Sequence, residues 1–224
     1  MSLVTDWFPE TAKRFLLPGP AGVLELATAI ANANAPARRG SAIVCHPHSL
    51  FGGSMDNKVV TSAERALREL GLNTLRFNFR GVGLSTGSFD EGSGERADLL
   101  AVVAWLRRVR PEDQIWLAGF SFGAFVSIRA AAEIAPAQLI SLAPPVDRFG
   151  FADLALPDCP WLVIQPEADE VVDPAAVCNW AAGLAGRIQL RKMPATSHFF
   201  HGQLPALRAA IVDGIGAPLP PLRA

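Results

Sequence analysis

Charge is scarce in this sequence and neither sign is in surplus: aspartate and glutamate number 21, lysine and arginine 20. A net charge of −1 and a pI near 6.4 leave no basic footprint for nucleic acid or an anionic membrane surface. Cysteines are few as well. Cys45, Cys159 and Cys178 are odd in number, far apart and free of any C-x-x-C spacing. That pattern argues against a disulfide framework or a cysteine-based zinc site, and predicts a reducing, cytoplasmic setting. No apolar run is long enough to cross a bilayer, and the uncharged stretch 114–128 reads as buried core. Residues 1–7 show neither the basic nor the apolar region of a secretion signal. Internal repeats and useful linkers are also missing, so one domain is expected over residues 1–224, with a loose Pro-rich tail at 217–224.

Apolar content is plentiful. Half of the 224 residues are hydrophobic and mean hydropathy is +0.25, which excludes a disordered chain. A chain of 23.8 kDa exposes about 9,900 Å² when folded, enough to bury a substantial core. Short apolar runs predict strands at 41–45, 74–79, 115–119, 139–143, 161–165 and 188–193. Amphipathic stretches between them predict helices at 58–70, 95–109, 122–135, 174–184 and 204–215. In the first helix Val59, Val60, Ala63, Ala66, Leu67 and Leu70 share one face, and Gly71 is a natural stop. Within residues 1–40, segments 14–17 and 23–30 flank Pro18-Gly19-Pro20-Ala21-Gly22 and predict an antiparallel hairpin. The alternation that follows predicts an α/β fold with a mostly parallel sheet covered on both faces.

Gly119-Phe120-Ser121-Phe122-Gly123 is a G-x-S-x-G pattern between a predicted strand and a predicted helix. The pattern alone arises by chance in about 7% of chains of this length, and the strand–helix context sharpens it. A serine on so tight a turn has a strained backbone, and glycine two positions to either side avoids collision. The helix N-terminus then offers free N–H groups to an oxyanion, Phe122 first. A serine nucleophile needs an imidazole, itself oriented by a carboxylate. After the strand at 161–165 come Glu167, Asp169, Glu170 and Asp173. Asp173 precedes Pro174 and reads as a helix cap. Glu167, Asp169 and Glu170 stay open as the acid, with Asp147 an outside candidate. The four histidines form two pairs, His46 with His48 and His198 with His201. Only the second pair lies downstream of the acid, so His198 or His201 is the expected base. A rival reading gathers the four imidazoles and Asp169 around a metal, although neither pair has a familiar zinc spacing. Cys45, on a strand, is a weaker nucleophile candidate.

Several blocks together resemble the α/β-hydrolases, and more closely the small lidless bacterial serine hydrolases. They are His46-Pro47-His48 with residues 52–60, the 75–83 segment, residues 117–123, Ala143-Pro144-Pro145, and Ser197-His198-Phe199-Phe200-His201. The resemblance implies Ser121 as nucleophile, Asp169 as acid and His198 as base. It also implies a second oxyanion N–H from the loop after the first parallel strand, assigned to His48 because Pro47 has none. One departure bears on the acid loop: similar sequences carry Gly-Asp where this chain has the stiffer Pro166-Glu167. The segment 80–87 has neither P-loop nor G-x-G-x-x-G spacing and reads as a tight structural loop rimming the site.

Cap domains in this fold enter after the strand that follows the nucleophile helix. Here that span, 144–160, holds only seventeen residues, so the site is expected to be open. Phe51, Phe120 and Phe199 are expected to line a substrate pocket. The expected activity is hydrolysis of small esters or thioesters through an acyl-enzyme, with no cofactor and no metal. A small acyl ester, and at most a second copy of the chain, are the expected partners. The different-class alternative is a catalytically weak binding protein that keeps the fold.

Overall fold

A computed structural model describes residues 3, 6–151, 154–184 and 186–223. Residues 1, 2, 4 and 5 of the opening segment, 152 and 153 of the span after the sixth strand, 185, and 224 of the tail lie outside the described residues. The strands are β1 (Lys13–Gly19), β2 (Gly22–Ala29), β3 (Gly40–Cys45), β4 (Asn73–Phe77), β5 (Gln114–Phe120), β6 (Gln138–Leu142), β7 (Trp161–Pro166) and β8 (Gln189–Met193). The α-helices are α1 (Lys58–Glu69), α2 (Ser93–Val109), α3 (Phe122–Ile134), α4 (Pro174–Gly183) and α5 (Leu204–Asp213). They form one eight-stranded sheet of order β1-β2-β4-β3-β5-β6-β7-β8. Pairing is antiparallel at β1–β2 and β2–β4 and parallel from β4 to β8.

The period of two along the strands builds two cores, one on each face. Ile43 and Cys45 of β3 join Leu117 and the apolar faces of α2 and α3. Ala42 and Val44 join Trp116, Ala118 and Phe120, covered by α1 and α5. Helix α1 follows its predicted stripe, with Val59, Val60, Ala63, Ala66 and Leu67 buried. Asn57 caps it by accepting the Val59 N–H at 2.8 Å, and Gly71 ends it at φ 86°, where a Cβ would lie 2.1 Å from the Pro36 carbonyl. Replacing Leu67 by alanine would cost about 2–5 kcal/mol in a core of this kind.

The tail is not loose. Arg223 donates to both carboxylate oxygens of Asp113, Pro221 accepts the Arg39 N–H at 2.8 Å, and Pro220 fills the space that a Gly40 Cβ would occupy. Long-range partners fix a segment whose local composition suggested disorder.

The chain leaves β3 for β4 on one side, then crosses back to β5 on the other. The connections leaving the carboxyl ends of the paired strands β3 and β5 therefore run in opposite directions, which is where open α/β sheets place their ligands. Among the described residues of 144–160 no helix or strand stands over that opening.

Candidate active site

Ser121 is the single residue between β5 and α3, at φ 54° and ψ −119°. That conformation costs a non-glycine residue about 1–3 kcal/mol and persists only when surroundings over-determine it. Here its N–H donates to the Leu142 carbonyl at 2.8 Å, and its carbonyl accepts from Ala124 and Phe125. The flanking glycines are required by space. A Cβ on Gly119 would meet the Gly123 carbonyl oxygen at 2.2 Å, and one on Gly123 would meet the Cys45 oxygen at 2.4 Å. The Ser121 side chain makes no capping bond to the helix it precedes. Phe122 opens α3, ahead of any intrahelical acceptor for its N–H.

The acid loop starts where β7 ends. Pro166 stays in register with Met193, and the next two N–H groups bind Met193 and Thr196 carbonyls. The proline therefore does not carry the loop away from β8. Asp169 turns inward: Oδ1 accepts the Val171 and Val172 N–H groups at 2.9 and 2.8 Å, and Oδ2 accepts Gln165 Nε2 at 3.3 Å. The same Oδ2 lies 2.8 Å from His198 Nδ1. Burial pushes the Asp169 carboxyl up, but the hydrogen bonds from His198, Val172 and Val171 together outweigh it and hold its pKa below the ordinary value.

The competing acids have other partners. Glu170 accepts the His198 backbone N–H at 3.0 Å, Glu167 faces Lys192, and Asp173 caps α4 through the Ala175 N–H as expected. Asp147 is exposed on the loop after β6, and His201 is exposed beside Phe199.

With Nδ1 donating to Asp169, His198 Nε2 has no partner among the described residues. His198 and Ser121 line one cavity of about 380 Å³ with His48, Phe51, Arg148 and Phe199. They are not hydrogen-bonded to each other, a looseness common before substrate arrives. Phe51 and Phe199 line this cavity. Phe120 does not: it is fully buried, 4.9 Å beneath the His198 ring and packed on Phe199 and Phe200. Residues 116, 118 and 120 of β5 share a sheet face, and the strand ends before Phe120 can turn toward substrate.

The first histidine pair is differently employed. Buried His46 accepts the Phe79 N–H at Nε2, so the proton sits on Nδ1 and is donated to the Pro47 carbonyl. Burial pushes its pKa down to about 4. The metal reading fails on this donor set: both His46 nitrogens are spent, and among the described residues no three His, Cys, Asp or Glu side chains gather around a common point. Burial likewise pushes the Cys45 thiol up to about 12, leaving no thiolate at neutral pH. The 80–87 loop is structural but ties to the hairpin rather than lining the cavity, through Thr86 to Ala21 and Val23 and through Ser85 to Glu25.

A family model described as X-Pro dipeptidyl-peptidase (S15 family) matches residues 43–152. An uncharacterized protein of Rickettsia prowazekii is 34% identical over 206 residues, covering 87% of this chain and 85% of that one. A Xanthomonas campestris protein, described as an α/β serine hydrolase without lid, superposes with a TM-score of 0.90 at 53% identity, over 93% of this chain and 95% of that one. An α/β serine hydrolase homologue from Coxiella burnetii gives 0.89 at 45% identity, over 93% and 100%. The chain belongs to the lidless α/β serine hydrolases.

Sequence reasoning about this hydrolase missed three residues. Gln165, near the end of β7, donates to the Asp169 carboxylate, and a polar side chain in an otherwise apolar buried strand was the available signal. Glu170 anchors the backbone of His198 and was weighed only as a rival acid. Arg148, in the short span that replaces a cap, lines the cavity and donates to the Val171 carbonyl. A cation in so apolar a neighbourhood was the clue.

Proposed function

We propose that this hydrolase cleaves small carboxylic esters or thioesters through Ser121, His198 and Asp169, by way of an acyl-enzyme. One observation carries the reading: a buried carboxylate holds one nitrogen of His198, and the other is open in the cavity that the strained Ser121 also lines. Ser121 Oγ attacks the carbonyl carbon while His198 Nε2 takes its proton. The carbonyl π pair moves to oxygen, and that oxyanion accepts hydrogen bonds from the Phe122 and His48 N–H groups. Collapse expels the alcohol or thiol, which leaves with the proton from His198. Water then repeats the cycle and frees the acid. Asp169 keeps the Nδ1–H tautomer in place and stabilises the imidazolium. Phe51 and Phe199 give the substrate its apolar edges. The three free thiols suit a reducing cytoplasm, and the substrate is a free small molecule.

Fluorophosphonate labelling with peptide mass spectrometry tests the reading. Stoichiometric label on Ser121, lost in His198→Ala, is the expected result. A folded protein that takes no label would overturn it in favour of a binding role for the fold.

A further inference from the structure

The catalytic cavity does not end at His48. Beyond that imidazole lies a second cavity of about 720 Å³, and His48 and Arg148 line both. Its size falls within the range of small-molecule sites. The wall is aromatic: Phe125 and Phe149 stack at 4.7 Å between centroids, and Phe89 lies 4.6 Å from the His48 ring. Among the described residues the charged ones that line it are Arg129, Arg148 and Glu91, two cations to one anion.

Among the described residues neither guanidinium is neutralised by a carboxylate. Arg129 donates to Ser93 Oγ and lies over the Phe125 ring, and Arg148 donates to the Val171 carbonyl. Glu95 of α2, whose charge acts on His48, is already spent on the Asp90 and Gly92 N–H groups. Glu91 is held at φ 49°, in the left-handed region that a side chain rarely adopts, so this stretch of lining is strained.

We infer that the second cavity binds the distal part of the substrate, an aromatic group ending in a carboxylate. The inference rests on the serine hydrolase reading above, which puts the scissile carbonyl at Ser121 on the near side of His48. A flat ring fits against Phe89 and Phe149, and a carboxylate suits the planar donor fork of a guanidinium. Arg148 stands where the two cavities meet, so it meets the substrate first, with Arg129 beyond it.

The test compares matched esters on the full chain. In one arm the acyl half carries the charge: the 4-nitrophenyl ester of 3-(4-carboxyphenyl)propanoic acid against its para-carboxamide analogue. In the other the leaving half carries it: 4-carboxymethylphenyl acetate against the corresponding amide, with rates divided by those of alkaline hydrolysis. The carboxylate is expected to raise kcat/KM by about tenfold in one arm, which identifies the half that occupies the cavity. That ratio should fall toward one in Arg148→Met, fall partway in Arg129→Met, and shrink in about 0.5 M sodium chloride. A wild-type ratio near one in both arms, or a ratio that both variants leave intact, overturns the inference. Fluorophosphonate labelling of the same samples separates the two failures. Labelled Ser121 without a carboxylate preference sinks only the second cavity, whereas an unlabelled folded protein sinks the hydrolase reading as well.

Discussion

His46 and His198 are both buried, at 0% and 1% exposure, and both have Nδ1 in a hydrogen bond of 2.8 Å or less. What lies across each ring separates them. His46 is closed at its second nitrogen by the Phe79 N–H and acts as a rivet between the loops after β3 and β4. His198 is backed by a carboxylate and left open on the cavity side. Burial alone therefore does not make a histidine a base. One filled nitrogen and one free nitrogen do, with a negative charge behind the filled one.

The strongest way to break this contrast is to remove Ser121, the group that His198 is proposed to serve. Ser121→Ala should lower kcat/KM for an activated ester by about 10⁴-fold or more. A variant that keeps half the activity would end the assignment. Asp169→Asn comes next, at about 10³–10⁴-fold, because an amide facing Nδ1 favours the tautomer whose Nε2 already carries a proton. Glu170→Gln keeps an acceptor for the His198 N–H and should cost less than about tenfold. Equal losses in these two would move the acid elsewhere, with Asp147 next in line.

The rivet has its own signature. Unfolded His46 takes up a proton near pH 6.5, while the native ring resists until about 4. The unfolded state thus binds more protons in that window, and stability should fall as pH drops through it, by about 3 kcal/mol in all. Urea titrations from pH 7 to 4 would show the slope, and His46→Phe should flatten it. A flat wild-type profile would contradict the buried neutral ring. Asp169 shifts in the same direction for the opposite reason: its charged form is the one stabilised, and that contribution is lost only at more acid pH, below the ordinary carboxylate value of 3.8. The smallest effect belongs to Asp173→Ala, which removes the α4 cap. It should lower unfolding free energy by about 1 kcal/mol with kcat/KM within twofold.

Features set by neighbours in sequence were legible. The glycines around Ser121, the Asp173-Pro174 cap, the α1 stripe and the strand–helix alternation all follow from local sterics and periodicity. The choice among Glu167, Asp169 and Glu170 was not open to the same reasoning. It depends on how the loop curls so that Val171 and Val172 present N–H groups to one carboxylate, and only the family resemblance singled out Asp169. Phe120 was misjudged although its period was readable, since sharing a face with Trp116 and Ala118 puts it in the core. The tail was misjudged for the opposite reason: Arg223 reaches Asp113 across 110 positions of chain, and no local pattern encodes that.

That stitched tail has a practical side. It crosses the amino-terminal ends of β3 and β5, beside Arg39 and Gly40, whereas Ser121 sits at the carboxyl end of the seven-residue β5. A strand of that length spans about 20 Å. A linker, dye or solid support joined after residue 223 would therefore hold the molecule by its base, with the mouth of the cavity turned to the bulk solution. Immobilised protein of this orientation should meet a small substrate as freely as protein in solution.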